Sequence, residues 1–235
     1  MAPRVLVLGA GGDMGRGIVE GLTGTGVDVV AADVDAAALD AVRQDDDVET
    51  TTVDVTDPAA VETLAEFDVV ASAIGPFYRF GEPVLELAIE AGVDFVDICD
   101  DHDAVSDQLT YADDARAAGV SAVVGCGWTP GISNVLAAYG AAELGGATAV
   151  QIDWVGSAAD SQGLAVIMHV FHVLAGEVPQ YRDGARVDVS AGSMGRPVSI
   201  PDVGEVETVA CGHPEPLTLP DELDADTVEL RGALL

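Results

Sequence analysis

The chain has 235 residues, 49% of them apolar, which is enough for one large or two modest cores, and no apolar run approaches the ~20 residues that a membrane span needs. Its 41 acidic residues face nine basic ones, a formal charge of −32, so nucleic acid and anionic membrane are poor partners. There is no lysine, which excludes a Walker phosphate lysine, a Schiff-base lysine and the Tyr-x-x-x-Lys dyad of short-chain dehydrogenases.

The acids are scattered between apolar segments, not gathered in a tail. Such a surface repels itself unless salt screens it, and at ~1 M salt the Debye length is ~3 Å. The expected setting is the high-salt cytoplasm of a halophile. Three cysteines without CxxC spacing read as reduced thiols, and the opening "MAPRVLVLGAGG" lacks the long apolar region of a signal peptide.

In chain order, "RVLVL" (4–8) reads as a buried strand, and Met14, Ile18 and Leu22 then recur at helical spacing. Further strands are expected at 27–33, 49–55, 68–74, 94–99 and 121–127. Helices are expected after Val34, from Asp57-Pro58 to Phe67, near 82–92 and over 103–118. Strands alternating with helices imply a mostly parallel, doubly wound sheet of Rossmann type. After about residue 147 the pattern changes to a strand "AVQIDWVGS", a helix "LAVIMHVFHVLAG" and strand-like runs near 187–191, 196–200 and 206–211. The expected organisation is a dinucleotide-binding domain over 1–135 and a smaller α+β domain over 136–235 for substrate and dimer contacts.

The turn "VLVLGAGGDMGRG" lies directly between the first strand and the first helix, where a dinucleotide fingerprint carries weight. Gly9 allows the tight turn, Gly11 and Gly12 let the backbone approach a pyrophosphate, and Gly15 permits close helix packing. Asp13 and Met14 complete the loop. The spacing departs from GxGxxG, reading GxxGxxG or GxGxxxG. Asp33 closes the second strand, where a carboxylate can accept hydrogen bonds from both ribose hydroxyls and would repel a 2′-phosphate. With no arginine beside it, NAD is favoured over NADP. A plain strand-to-helix turn and a helix cap at Asp33 are the structural alternatives.

Residues 72–101, "SAIGPFYRFGEPVLELAIEAGVDFVDICDD", together with "GCGWTPGISNVLA" (125–137) and "GHPEPLTLP" (212–220), resemble the saccharopine dehydrogenase-like family of nicotinamide-dependent oxidoreductases, which includes saccharopine reductase and lysine 6-dehydrogenase. The resemblance implies that Gly75-Pro76-Phe77-Tyr78 lies beside nicotinamide and substrate, with Ala73 and Ile74 leading into it. It also matches Phe95-Val96-Asp97 to a strand-end motif of the family, and Gly127-Trp128-Thr129-Pro130-Gly131 to a loop that often carries aspartate where Thr129 stands. Family members extend well beyond this length, so the second domain is expected to be shortened at its C-terminus. The implied activity is oxidation or reduction at the C–N bond of an amino acid or its imine, in a cytoplasmic homodimer. A non-catalytic NAD-binding or redox-sensing module and a dihydrodipicolinate-reductase-like enzyme are the alternatives.

Cys126 and Gly127 are expected along the cofactor, although the default for a lone cysteine is an inert buried thiol. Candidate catalytic groups are Tyr78, Arg79 (a clamp for a substrate carboxylate), Asp97 and His213. Asp100 and His102 in "DICDDHDA" are further candidates. His169 and His172, at i, i+3 on an apolar helix, have metal-ligand spacing, but no carboxylate or thiol nearby in sequence completes a shell, so no metal is expected.

Overall fold

A computed structural model describes residues 2–46, 48–157 and 163–235, the side chains of 44–46 excepted. Contacts divide the chain into two compact units, Met1–Cys99 with Asp107–Cys126, and Asp100–Ser106 with Gly127–Leu235.

The first unit begins with β1 (Arg4–Leu8), α1 (Asp13–Leu22), β2 (Asp28–Asp33), α2 (Ala36–Asp46), β3 (Glu49–Thr52), α3 (Ala60–Leu64) and β4 (Val69–Ser72). It continues with α4 (Phe77–Ala91), β5 (Asp94–Asp97), part of α5 (His102–Leu109), α6 (Ala112–Ala118) and β6 (Ala122–Val123). The strands form one parallel sheet in the order β3-β2-β1-β4-β5-β6. Successive residues of β1 serve opposite faces. Leu6 and Leu8 join a core with Leu64, Leu85 and Phe95, while Val5 and Val7 join another with Val19, Leu39 and Val42. That alternation is why the strand is apolar throughout: both of its faces are covered. In α4 the buried residues Phe77, Gly81, Val84, Leu85 and Ala88 form one helical stripe, and Gly92 ends the helix in the left-handed conformation at φ 70°.

The second unit contains the start of α5, α7 (Ile132–Leu144), β7 (Ala149–Gly156), α8 (Leu164–Val173), β8 (Glu177–Arg182), β9 (Ala185–Ser190), β10 (Arg196–Ile200), β11 (Gly204–Ala210), α9 (Glu215–Leu223) and β12 (Thr227–Leu234). Its sheet has the path β10-β11-β12-β8-β9, with β7 also pairing β12. All these pairs are antiparallel except β7–β12, which runs parallel from Thr227↔Ala149 to Leu234↔Gly156.

Several expectations change. The strand expected over 121–127 is confined to Ala122–Val123, and Gly125, at φ 70°, turns the chain soon after it. The helix expected over 103–118 breaks into α5 and α6 at Thr110–Tyr111. β8 and α9 were both unforeseen. β8 holds a proline and begins next to a glycine, and α9 carries Pro216 in its first turn and Pro220 inside. Both read locally as loop, and tertiary packing overrides that preference: Val178, Gln180, Leu219 and Glu215 are all buried.

Candidate functional site

At the C-terminal end of β1 the chain turns through Gly9, at φ 78°, and the Gly12 N–H bonds back to the Gly9 carbonyl at 3.1 Å. A Cβ on Gly9 would lie 3.1 Å from the Ala73 backbone, so this glycine lets the β1 turn close on the loop that follows β4. A Cβ on Gly15 would stand 2.1 Å from the Gly9 oxygen, and one on Gly11 would stand 2.6 Å from the Ala38 side chain and 2.9 Å from the Asp33 carboxylate. The expected roles of Gly9 and Gly15 therefore have a steric basis. No side chain caps α1 at Gly12, which leaves the first-turn N–H groups facing the turn as donors for a phosphate. Asp13 and Met14 are exposed in that first turn.

Asp33 ends β2 beside the turn. Its Oδ2 accepts the Gly11 N–H at 2.9 Å and its Oδ1 the Asp35 N–H at 3.0 Å. Each oxygen keeps a lone pair, so the carboxylate is fixed in place and can still accept from a ribose. β1 and β4 are neighbours at which the strand order reverses, the switch point where open α/β sheets hold ligands. Ala73, Ile74, Gly75 and Pro76 follow β4 at this edge and lead into α4, all of them half-buried. The glycine cradle and the fixed carboxylate fit a dinucleotide.

The expected catalytic residues are dispersed. Tyr78 and Arg79 are exposed in the first turn of α4, and the Arg79 guanidinium lies 4.9 Å from the centre of the Phe80 ring. Asp97 is buried at the end of β5. Its carboxylate receives the N–H groups of Cys99 (3.1 Å) and Gly125 (2.8 Å) and the Gln108 side-chain amide (2.6 Å). Burial raises its pKa, against the pull of those three donors. Cys126 is exposed, contrary to the default for a lone thiol, because its neighbour Gly125 carries the turn and only the Cys126 backbone N–H bonds inward, to the Asp97 carbonyl at 2.7 Å. Gly127, next in the chain, belongs to the second unit and closes a tight loop: its N–H bonds to the Pro130 carbonyl at 3.0 Å, and a Cβ on Gly131 would meet its oxygen at 2.2 Å.

His213 sits two residues before the start of α9 and is 3% exposed. Its ring centre is 5.5 Å from Trp154 and 5.6 Å from His169. Burial drives its pKa down to about 3, His169 adds to the effect, and Asp101 and the Thr129 backbone oppose it. The ring is neutral in the fold. Nearby, Glu215 is fully buried and its Oε1 accepts hydroxyl protons from Thr129 (2.5 Å) and Ser133 (2.7 Å), while burial raises its pKa. An aspartate at position 129 would put two carboxylates together, so Thr129 and Glu215 are a matched pair.

The expectation that no carboxylate approaches His169 and His172 is overturned. His169 Nδ1 lies 2.7 Å from Asp101 and its Nε2 3.3 Å from Asp100, and His172 Nε2 lies 3.0 Å from Asp103. The partners are 68 and 69 residues away in sequence, which is why spacing along the helix could not show them. Burial disfavours the charged His169 ring, but the Asp101 bond and both carboxylates outweigh it and its pKa is raised.

Sequence reading also missed a cluster of arginines on the second sheet. Arg231, 3% exposed, bonds Asp153 at 3.3 Å and Glu229 at 3.0 Å; Arg182 bonds Glu229 at 2.7 Å, and Arg196 pairs with Asp153. For both Asp153 and Glu229, burial alone would raise the pKa, and the arginines, joined at Asp153 by the Thr208 hydroxyl, more than reverse it. The alternation of charged and apolar residues in β7 and β12 was the available signal.

Residues 5–123 match the family model described as the saccharopine dehydrogenase NADP binding domain. The chain belongs to that family. A relative from Caenorhabditis elegans named "Lipid droplet localized protein" is 36% identical over 87 residues, 35% of this chain and 20% of that one. Saccharopine dehydrogenase (L-Glu forming) from Saccharomyces cerevisiae superposes over 98% of this chain and 55% of its own, with TM-score 0.73 and 20% identity. A scyllo-inositol dehydrogenase from Lactobacillus casei superposes over 100% and 69%, with TM-score 0.57 and 13% identity. The chain thus spans about half the length of the yeast enzyme, and at these identities the likeness to both structures is one of fold. The expected architecture, a Rossmann-type parallel sheet plus a separate and mostly antiparallel α+β domain, is the one found. No helix among the described residues is long and apolar enough to cross a membrane.

Proposed function

We propose that the chain is a nicotinamide-dependent oxidoreductase that acts on the C–N bond of an amino acid or its imine and prefers NAD(H). The observation that carries this reading is the glycine turn held against the fixed carboxylate of Asp33, in a chain of the saccharopine dehydrogenase family. The pyrophosphate would rest on the turn Gly9–Gly15 and the uncapped start of α1, with the adenosine ribose on Asp33 and Ala73–Pro76 beside the nicotinamide half. The family name leans to NADP, and Asp33 argues otherwise: a 2′-phosphate placed there meets a carboxylate with no arginine adjoining it in sequence.

The bound nicotinamide supplies or accepts the hydride. Of the chain's own groups, Arg79 is assigned to a substrate carboxylate and Tyr78 to substrate contact, since both stand exposed at the start of α4. His213, buried and with its pKa driven down to about 3, is a weak base and is not assigned to proton transfer. Asp97, with three donors on its carboxylate, is assigned to positioning the ends of β5 and β6.

Calorimetry with both cofactors tests the assignment. Wild-type protein should bind NADH at least about tenfold more tightly than NADPH, and Asp33→Ser should narrow the gap or invert it. A wild-type preference for NADPH removes the Asp33 argument. Turnover assays with amino-acid and imine pairs test the substrate class, and tight cofactor binding without turnover on any pair would favour a sensing module.

A further inference from the structure

All four histidines of the chain lie in the second unit and fall into two ring pairs: His102 with His172, stacked at 6.0 Å and 25°, and His169 with His213 at 5.6 Å. Asp100, Asp101 and Asp103 adjoin His102 in sequence. Two groups of potential ligands result, His102–Asp103–His172 and Asp100–Asp101–His169, each with its ligand atoms within 4.8 Å of one another.

The two groups differ in chemistry. The His169 group has one imidazole, and both of its ring nitrogens already face carboxylates, so a proton serves there as the cation. The other group has two imidazoles and one carboxylate. His172 Nε2 and Asp103 approach each other at 3.0 Å, and the buried Nδ1 of His102 has no hydrogen-bond partner among the described residues.

We propose that His102, Asp103 and His172 bind one divalent first-row transition-metal ion. Two nitrogens and one oxygen suit zinc, iron or manganese better than magnesium or calcium, which favour oxygen sets. Tetrahedral ligand bonds of ~2.1 Å place donors ~3.4 Å apart, so closure of a group whose ligand atoms lie within 4.8 Å of one another needs each donor to move by about 1 Å or less. The three residues are half-buried and so remain accessible to an ion. Three protein ligands leave a position for water or another ligand. The ion would tie the start of α5 to the last turn of α8, within one unit.

The full chain, stripped with chelator, is titrated with Co²⁺ and Zn²⁺ in about 1 M KCl, where diffuse binding to the acidic surface is screened. One equivalent of Co²⁺ should bind, give a visible ligand-field band and be displaced by Zn²⁺, and Zn²⁺ should raise the melting temperature. His102→Gln, His172→Gln and the near-isosteric Asp103→Asn should each weaken binding about 100-fold or more, with unchanged circular dichroism. His169→Gln should retain the metal. The proposal fails if no stoichiometric binding occurs in that salt, or if binding survives the double variant H102Q/H172Q. It also fails if His169→Gln alone removes the ion from a folded protein, since the ion would then occupy the other group.

Discussion

The two units solve the same problem, a chain of −32 charge that must still bury a core, in different ways. The first buries apolar strands on both faces of a parallel sheet and builds its ligand edge mainly from backbone: turns, glycines and helix N–H groups. The second places arginines, carboxylates and histidines inside or beside its sheet, and gathers them from segments far apart in sequence. A site made of backbone is sensitive to steric change at a few glycines. A site made of buried charge is sensitive to loss of a partner and to pH.

Gly15→Ala should have the largest effect. Its Cβ would stand 2.1 Å from the Gly9 oxygen, so α1 must move away from the turn, and dinucleotide affinity should fall by more than about 100-fold in calorimetry. Gly17, two positions further along the helix, has nothing within 4 Å of a Cβ, and Gly17→Ala should be neutral or stabilise by up to about 1 kcal/mol. Normal cofactor binding by Gly15→Ala would show that the turn is not the cradle.

Arg231→Met should cost about 3–5 kcal/mol in denaturant unfolding at fixed salt, because Asp153 and Glu229 lose a buried partner. The half-exposed Arg4 of the first unit, paired to Asp28 and Glu49 at 3.4 and 3.7 Å, should cost under about 1 kcal/mol when replaced by Met. Equal losses would erase the distinction between the units.

The pH response has two opposite limbs. His213 titrates near 6.5 when unfolded and near 3 when folded, so the unfolded state binds the extra proton between these values. Stability contributed by the neutral ring is therefore lost as pH falls from about 6.5 toward 3, by roughly 2–4 kcal/mol, and His213→Gln should flatten that acid limb. His169 has a raised folded pKa. Its contribution is complete below 6.5 and disappears as pH rises through the higher folded value, so His169→Gln should flatten the alkaline limb. Melting temperature against pH for the two variants checks both signs, and an acid limb unchanged in His213→Gln would refute the neutral-ring assignment.

The nucleotide edge was largely legible in the sequence because its determinants are contiguous. A strand, a glycine turn, a helix and an acid at the next strand end all lie within residues 4–33. The candidate catalytic residues were legible as residue types but not as environments. Asp97 looks in sequence like a free carboxylate at a strand end, and only the approach of Gly125, 28 residues away, and Gln108 gives it three donors. Local propensity also misled at α9, where three prolines from Pro214 to Pro220 suggest a loop; one precedes the helix, one lies in its first turn, and Pro220 is carried inside it by burial against β12 and β8.

Composition and spacing by themselves determined the alternating class, the absence of lysine and the glycine turn with the acid that follows it, because each depends on residues a few positions apart or on a count. Only the tertiary structure decided which charges became internal. Histidines at 169 and 172 meet carboxylates at 100, 101 and 103 through chain separations near 70 residues. The cost of burying a charge is repaid only by a partner in space, and a linear sequence does not specify that distance.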